Sequence, residues 1–124
     1  MKLALLDSIS VITAVQGGAF VVTGSHGGVS AAQFVLAARD LPSAVAFNDA
    51  GIGKDDAGVA ALSMLQERGV IAVAYSHLSA RIGDAKDAWD HGMVTRVNEA
   101  AAQLGIKNGM SVRESFDLWI TRLS

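Results

Sequence analysis

Three short apolar runs punctuate the chain: Ala19-Phe20-Val21-Val22-Thr23, Ser43-Ala44-Val45-Ala46-Phe47 and Val70-Ile71-Ala72-Val73-Ala74-Tyr75. None alternates apolar with polar positions, as a strand with one wet face would, so each is expected to be a strand covered on both sides. Helical spacing fills the intervals. Over residues 29–39, Ala31, Phe34, Val35 and Ala38 recur at that spacing. Over residues 56–68, Val59, Leu62 and Leu65 form one stripe, and Gly69 follows where a C-terminal cap belongs. Strand, helix, strand, helix, strand in such short units is the pattern of a parallel sheet with right-handed crossovers. Residues 2–6 suit a further strand, and residues 9–15 fit either a strand or a helix.

The last third changes character. Residues 85–90 read as a short helix closed near Gly92. Val94, Val97, Ala101 and Leu104 recur at helical spacing, although residues 93–97 taken alone suit an edge strand. Ser111 and Glu114 stand as a capping box, in which each side chain satisfies a free amide at a helix start. Beyond it Val112, Phe116, Trp119, Ile120 and Leu123 line one face of a helix expected to cover the core, with a subunit contact as the alternative. The expected fold is one α/β domain over residues 1–124. It has three layers, a mostly parallel sheet of about four strands in the Rossmann-like or flavodoxin-like manner, and C-terminal helices.

Composition narrows the function classes. Of 124 residues, 51% are hydrophobic and only 18% charged, against a usual charged share of about 25%. So few charges leave part of the surface to be covered, and residues 29–39 are apolar nearly all round. A homo-oligomer is therefore expected. A net charge of −2 gives no electrostatic footprint for nucleic acid. With no cysteine and three histidines, zinc ribbons, iron–sulfur clusters, disulfide scaffolds and thiol catalysis are excluded. Asp7 breaks the apolar run at residues 3–6 before it could serve as a secretory signal, and no run is long enough to span a membrane. The expectation is a cytoplasmic protein with no membrane partner.

In open parallel sheets ligands bind outside the carboxyl ends of the strands. The three loops expected there carry most of the chain's reactive groups: residues 24–30 (Gly24-Ser25-His26-Gly27-Gly28-Val29-Ser30), 48–56 (Asn48-Asp49-Ala50-Gly51-Ile52-Gly53-Lys54-Asp55-Asp56) and 76–84 (Ser76-His77-Leu78-Ser79-Ala80-Arg81-Ile82-Gly83-Asp84). The glycines have neither the P-loop nor the dinucleotide spacing, and no Gly-x-Ser-x-Gly elbow is present. Gly24, Ser25, Gly27 and Gly28 would bring small residues and helix-start amides to an anion. His26 and His77 are candidates for acid and base, because imidazole titrates near neutrality. Asp49 would orient a histidine or abstract a proton, or else close an Asx-turn; Asp55 is a further candidate catalyst or an N-cap. Asn48, Lys54, Ser76 and Arg81 complete the substrate-binding candidates, Arg81 by bidentate binding of carboxylate or phosphate. An ion pair of Arg81 with Asp84 or Asp87 is its structural alternative. A Ser25 or Ser76 nucleophile would need a histidine from another loop, since sequence neighbours on an extended chain point apart. His91 suits a helix end.

The reading is a small enzyme acting on an anionic metabolite by acid–base chemistry, as a lyase, isomerase or hydrolase does. A noncatalytic anion-binding or regulatory module, or a subunit of a larger complex, is the alternative. No cofactor is expected. A divalent metal held by the two histidines with Asp49 or Asp84 stays open as a possibility.

Overall fold

In the computed structural model, which describes residues 3–14 and 17–123, five strands form one sheet in the order β1-β2-β3-β4-β5. The strands are β1 (Leu3–Leu6), β2 (Phe20–His26), β3 (Ala44–Asn48), β4 (Ile71–Tyr75) and β5 (Val94–Val97). The first four run parallel, and β5 is antiparallel to β4. Five helices accompany them: α1 (Val29–Leu36), α2 (Ala61–Gln66), α3 (Ala85–His91), α4 (Glu99–Gln103) and α5 (Val112–Leu123). Two 3-10 segments, Ile9–Ala14 and Lys54–Val59, fill the connections after β1 and before α2.

The three-layer α/β class stands, with five strands in place of about four. Its strand order is sequential, without the reversal that marks doubly wound sheets. Right-handed crossovers that always step the same way place their connections on one face. Accordingly Ile9, Ile12, Ala32, Val35, Leu62 and Leu65 share one core with Val21, Val45, Phe47 and Ala72. The opposite face buries Phe20, Val22, Val73 and Tyr75 under residues of α3, α4 and α5, among them Ala88, Ala101, Val112 and Trp119. This layer is the aromatic one: Phe116 meets Phe20 and Trp89 edge-on, with centroids 5.5 and 5.4 Å away. Burial on both faces is what the unalternating strands required.

Several local expectations change. The helix expected over 29–39 ends at Leu36, and the one over 56–68 begins only at Ala61, because Asp55 and Asp56 take positive φ angles of 55° and 58°. Residues 9–15 form neither strand nor α-helix but the 3-10 segment, with Val15 outside the described residues. Lys2 lies outside them too, while Leu3–Leu6 forms the further strand. Residues 94–97 are an edge strand, and the helical spacing there comes from a strand passing directly into α4. The capping box is present. Ser111 Oγ accepts from the Glu114 amide at 3.0 Å, and the Ser111 amide donates to Glu114 at 3.1 Å. Among the described residues, no helix is long and apolar enough to cross a membrane.

Candidate functional site

The carboxyl ends of β2, β3 and β4 lie side by side, with His26 paired to Asn48 and Asn48 to Tyr75 in register. All three loops singled out in the sequence therefore leave the same edge of the sheet. The amino end of β5 reaches that edge as well, since Val94 pairs with Tyr75.

The group with the most organised surroundings is Asp49, immediately beyond β3. Its backbone amide continues the ladder to the Tyr75 carbonyl at 2.8 Å, which fixes where the side chain starts. Oδ1 accepts from the Gly51 amide at 2.8 Å, the His77 amide at 3.0 Å and the His77 ring at Nδ1, 3.1 Å away. Oδ2 accepts from the Thr95 hydroxyl at 2.8 Å. Burial by itself would raise this carboxyl, but the hydrogen bonds from Gly51, Thr95 and His77 outweigh it and hold Asp49 below its ordinary value. Asp49 thus closes an Asx-turn and orients a histidine at once. Three donors on Oδ1 and one on Oδ2 engage both oxygens in the turn and in holding His77.

His77 is the exposed half of the pair, its side chain 46% accessible against 5% for Asp49. With Nδ1 turned to the carboxylate, Nε2 is left without a partner among the described residues. Gly51 lies against the ring, where a Cβ would come within 3.4–3.7 Å of it. Gly51 belongs to a run of left-handed backbone in which Ala50, Ile52, Asp55 and Asp56 also have φ between 51° and 69°. For a β-branched residue such as Ile52 that conformation is strained, and strain of this kind concentrates where a loop is held for a purpose. Hydrogen bonds from the Ile52 amide to the Asp49 carbonyl and from the Gly58 amide to the Ile52 carbonyl, both 2.6 Å, pin the run.

His26, at the end of β2, is exposed, and its ring has no hydrogen-bond partner among the described residues; the ring rests beside Gly28 at the start of α1. β3 separates it from the β4 exit, and two strand spacings amount to roughly 10 Å. The two histidines share an edge without touching. α1 begins at Gly28 with no side-chain cap and no acidic residue in its first turn. The other small residues of that loop serve packing. A Cβ at Gly24 would collide with the Asp84 backbone, and the Gly27 amide is already bonded to the Asn48 carbonyl at 3.1 Å.

The serines are not paired with histidines: Ser25 Oγ accepts from the Ile9 amide and Ser76 Oγ from the Leu78 amide, each at 3.0 Å. Asn48 is buried, closing its own turn onto the Ala50 amide and donating to the Ala80 carbonyl. Lys54 and Asp55 are exposed in the left-handed loop. A groove of about 550 Å³ opens beside that loop rather than over His77, lined by Asp55, Asp56, Ser63, Arg96 and Glu99 among others. Arg81 is exposed, 3.8 Å from Asp84, and its amide donates to Asp87. His91 closes α3 and pairs with Asp87 at 2.9 Å. No group of three or more His, Asp or Glu side chains among the described residues could hold a metal ion.

The chain matches no protein-family model, no curated protein and no solved structure. What the site can do therefore rests on its own geometry.

Sequence reasoning missed three contributors. Thr95 is one; in a Val-Thr-Arg-Val run it reads only as a β-former. Tyr75 and Thr23 are the others. The Tyr75 hydroxyl donates to the Thr23 carbonyl at 2.6 Å, and burial pushes its phenol well above the ordinary value, so it stays a donor and ties β4 to β2 beneath the site. A tyrosine ending an apolar run gives only a faint signal of this.

Proposed function

We propose that this chain is a small cytoplasmic enzyme that moves a proton on a carboxylate- or phosphate-bearing metabolite, in the manner of a lyase, isomerase or hydrolase, with His77 as its acid–base group. The observation that carries the reading is the Asp49–His77 pair at the carboxyl edge of the sheet, with the His77 side chain half exposed and Nε2 without a partner among the described residues. In the neutral ring Nδ1–H donates to Asp49, leaving Nε2 to take a proton from substrate. The imidazolium formed would stand against a carboxylate already held ionised, and would then return its proton to product. The free amides at the start of α1, the His26 ring, Lys54 and Arg81 are the groups on this edge suited to the anionic part. In this reading Asp49 orients and does not abstract.

A site as open as His77's also suits a module that binds an anion without turnover, and one experiment separates the two. Carboxylate and phosphate metabolites are incubated in deuterated water with the wild type and with His77→Gln. Deuterium entering a carbon-bound position, or a hydrolysis product formed, with wild type, and falling at least about a hundredfold in the variant, supports proton transfer. Histidine ring shifts on adding phosphate or a dicarboxylate, with neither exchange nor hydrolysis of any compound, would leave only binding. No shift, no exchange and no hydrolysis would remove both readings. Self-association belongs to the same proposal: Val29 and Phe34 stay half-exposed on α1. A monomer by light scattering at micromolar concentration would end that part.

A further inference from the structure

The two oxygens of Asp49 are held differently. Oδ1 has three donors, two of them backbone amides from Gly51 and His77, so its position is fixed by the main chain. One fixed oxygen does not fix the plane of a carboxylate, because the torsion to a planar terminal group is broad. The plane matters here, since a donor prefers to approach an sp² oxygen near the plane of its group. The three donors crowd Oδ1 and cannot all lie in one plane at its two lone pairs, so the partner of Oδ2 decides it, and among the described residues that partner is Thr95.

Thr95 is well built for this. It stands on β5, the strand beyond β4, whose exit loop carries His77, so it holds the carboxylate from the side opposite β2. Its Oγ1 lies 2.8 Å from Asp49 Oδ2 and 3.4 Å from the Ala74 carbonyl. A hydroxyl has one proton to give, and the shorter, charge-assisted bond takes it. β-Branching restricts the Thr95 side chain torsion, so the hydroxyl is placed in advance.

Building on the acid–base reading of His77, we infer that Thr95 is a positioning residue: its hydroxyl sets the plane of the Asp49 carboxylate and thereby holds the neutral His77 ring in the Nδ1-protonated form, with Nε2 as the open base. Without the hydroxyl the carboxylate turns, the Nδ1–H bond weakens, and the ring drifts to the Nε2-protonated form, which presents no base to a substrate.

The test needs no substrate. Ring tautomers are read by long-range nitrogen–proton correlation on labelled protein, at an alkaline pH where the ring nitrogen shifts themselves report the neutral form. His26, with no carboxylate partner, is the internal reference. The wild type should show His77 protonated at Nδ1. Thr95→Val should move its tautomer ratio toward Nε2 by roughly tenfold, the scale of one lost bond to a charged group, and Thr95→Ser should restore it. A merely structural role would disturb amide signals without moving the tautomer. Should Thr95→Val fail to fold, Thr95→Ala applies the same test without the added methyl. A wild-type ring protonated at Nδ1 with either hydroxyl-free variant unchanged would overturn the role of Thr95 alone. A wild-type ring protonated at Nε2 would overturn it together with the open base at Nε2. The expected tautomers in a protein that neither exchanges deuterium into any compound nor hydrolyses one would leave Thr95's role intact and remove the catalytic reading.

Discussion

Asp49 shows how one side chain can carry both a turn and a site. Because its carboxyl is held below the ordinary value in the folded protein, it contributes stability that is fully present above its unfolded value near 3.8 and is lost as pH falls through the lower folded value. The wild type should therefore lose thermal stability on acidification below about pH 4, with this group as one cause. Asp49→Asn keeps the shape and removes the charge. It should cost about 1.5–3 kcal/mol at pH 7 and flatten that part of the acid limb. Melting curves at several pH values check both halves; an acid limb as steep in the variant as in the wild type would dissociate Asp49 from it. The sequence made Asp49 and His77 visible as candidates, because polar groups stand out where an apolar run ends. It could not show that Oδ1 of one meets Nδ1 of the other, since that depends on strand register. Thr95 was hidden for the same reason, its partner lying 46 residues away in sequence.

At the scale of elements, Asn98 does for the frame what Asp49 does for the site. It is buried between β5 and α4, where Oδ1 accepts from the Ala72 and Ala101 amides and Nδ2 donates to the Leu62 and Val70 carbonyls. One side chain thus caps α4 and ties α2 and β4 to it. Asn98→Ala would leave those backbone groups unmet away from water and should cost about 2–4 kcal/mol, measured by urea denaturation. A loss within 0.5 kcal/mol would show that water replaces all four bonds. The strands around it were legible because buried parallel strands read as unbroken apolar runs. The join at Asn98 was not. A four-residue strand and a five-residue helix placed end to end imitate one helical stripe, with Val94 and Val97 on the strand and Ala101 on the helix. The left-handed residues between 50 and 56, Lys54 aside, were equally opaque, for only two of them are glycine, and the turn is imposed by bonds to Asp49 and Gly58.

For the whole molecule, the sequential strand order divides the two cores by position along the chain. Residues up to Tyr75 supply all four parallel strands and one helical layer, whereas the cover over Phe20, Val22, Val73 and Tyr75 comes from residues beyond them. During synthesis from the amino end, a sheet with one bare apolar face would thus exist before its second layer has been made. At about 5–20 residues per second, the remaining stretch of roughly fifty residues takes a few seconds to add. Over that interval the bare aromatic face would be open to self-association. Chains stopped after residue 91 should accumulate in the insoluble fraction, while chains that include α5 stay in solution. Equal solubility of the two lengths would mean that the sheet does not form until the last helix is present to receive it.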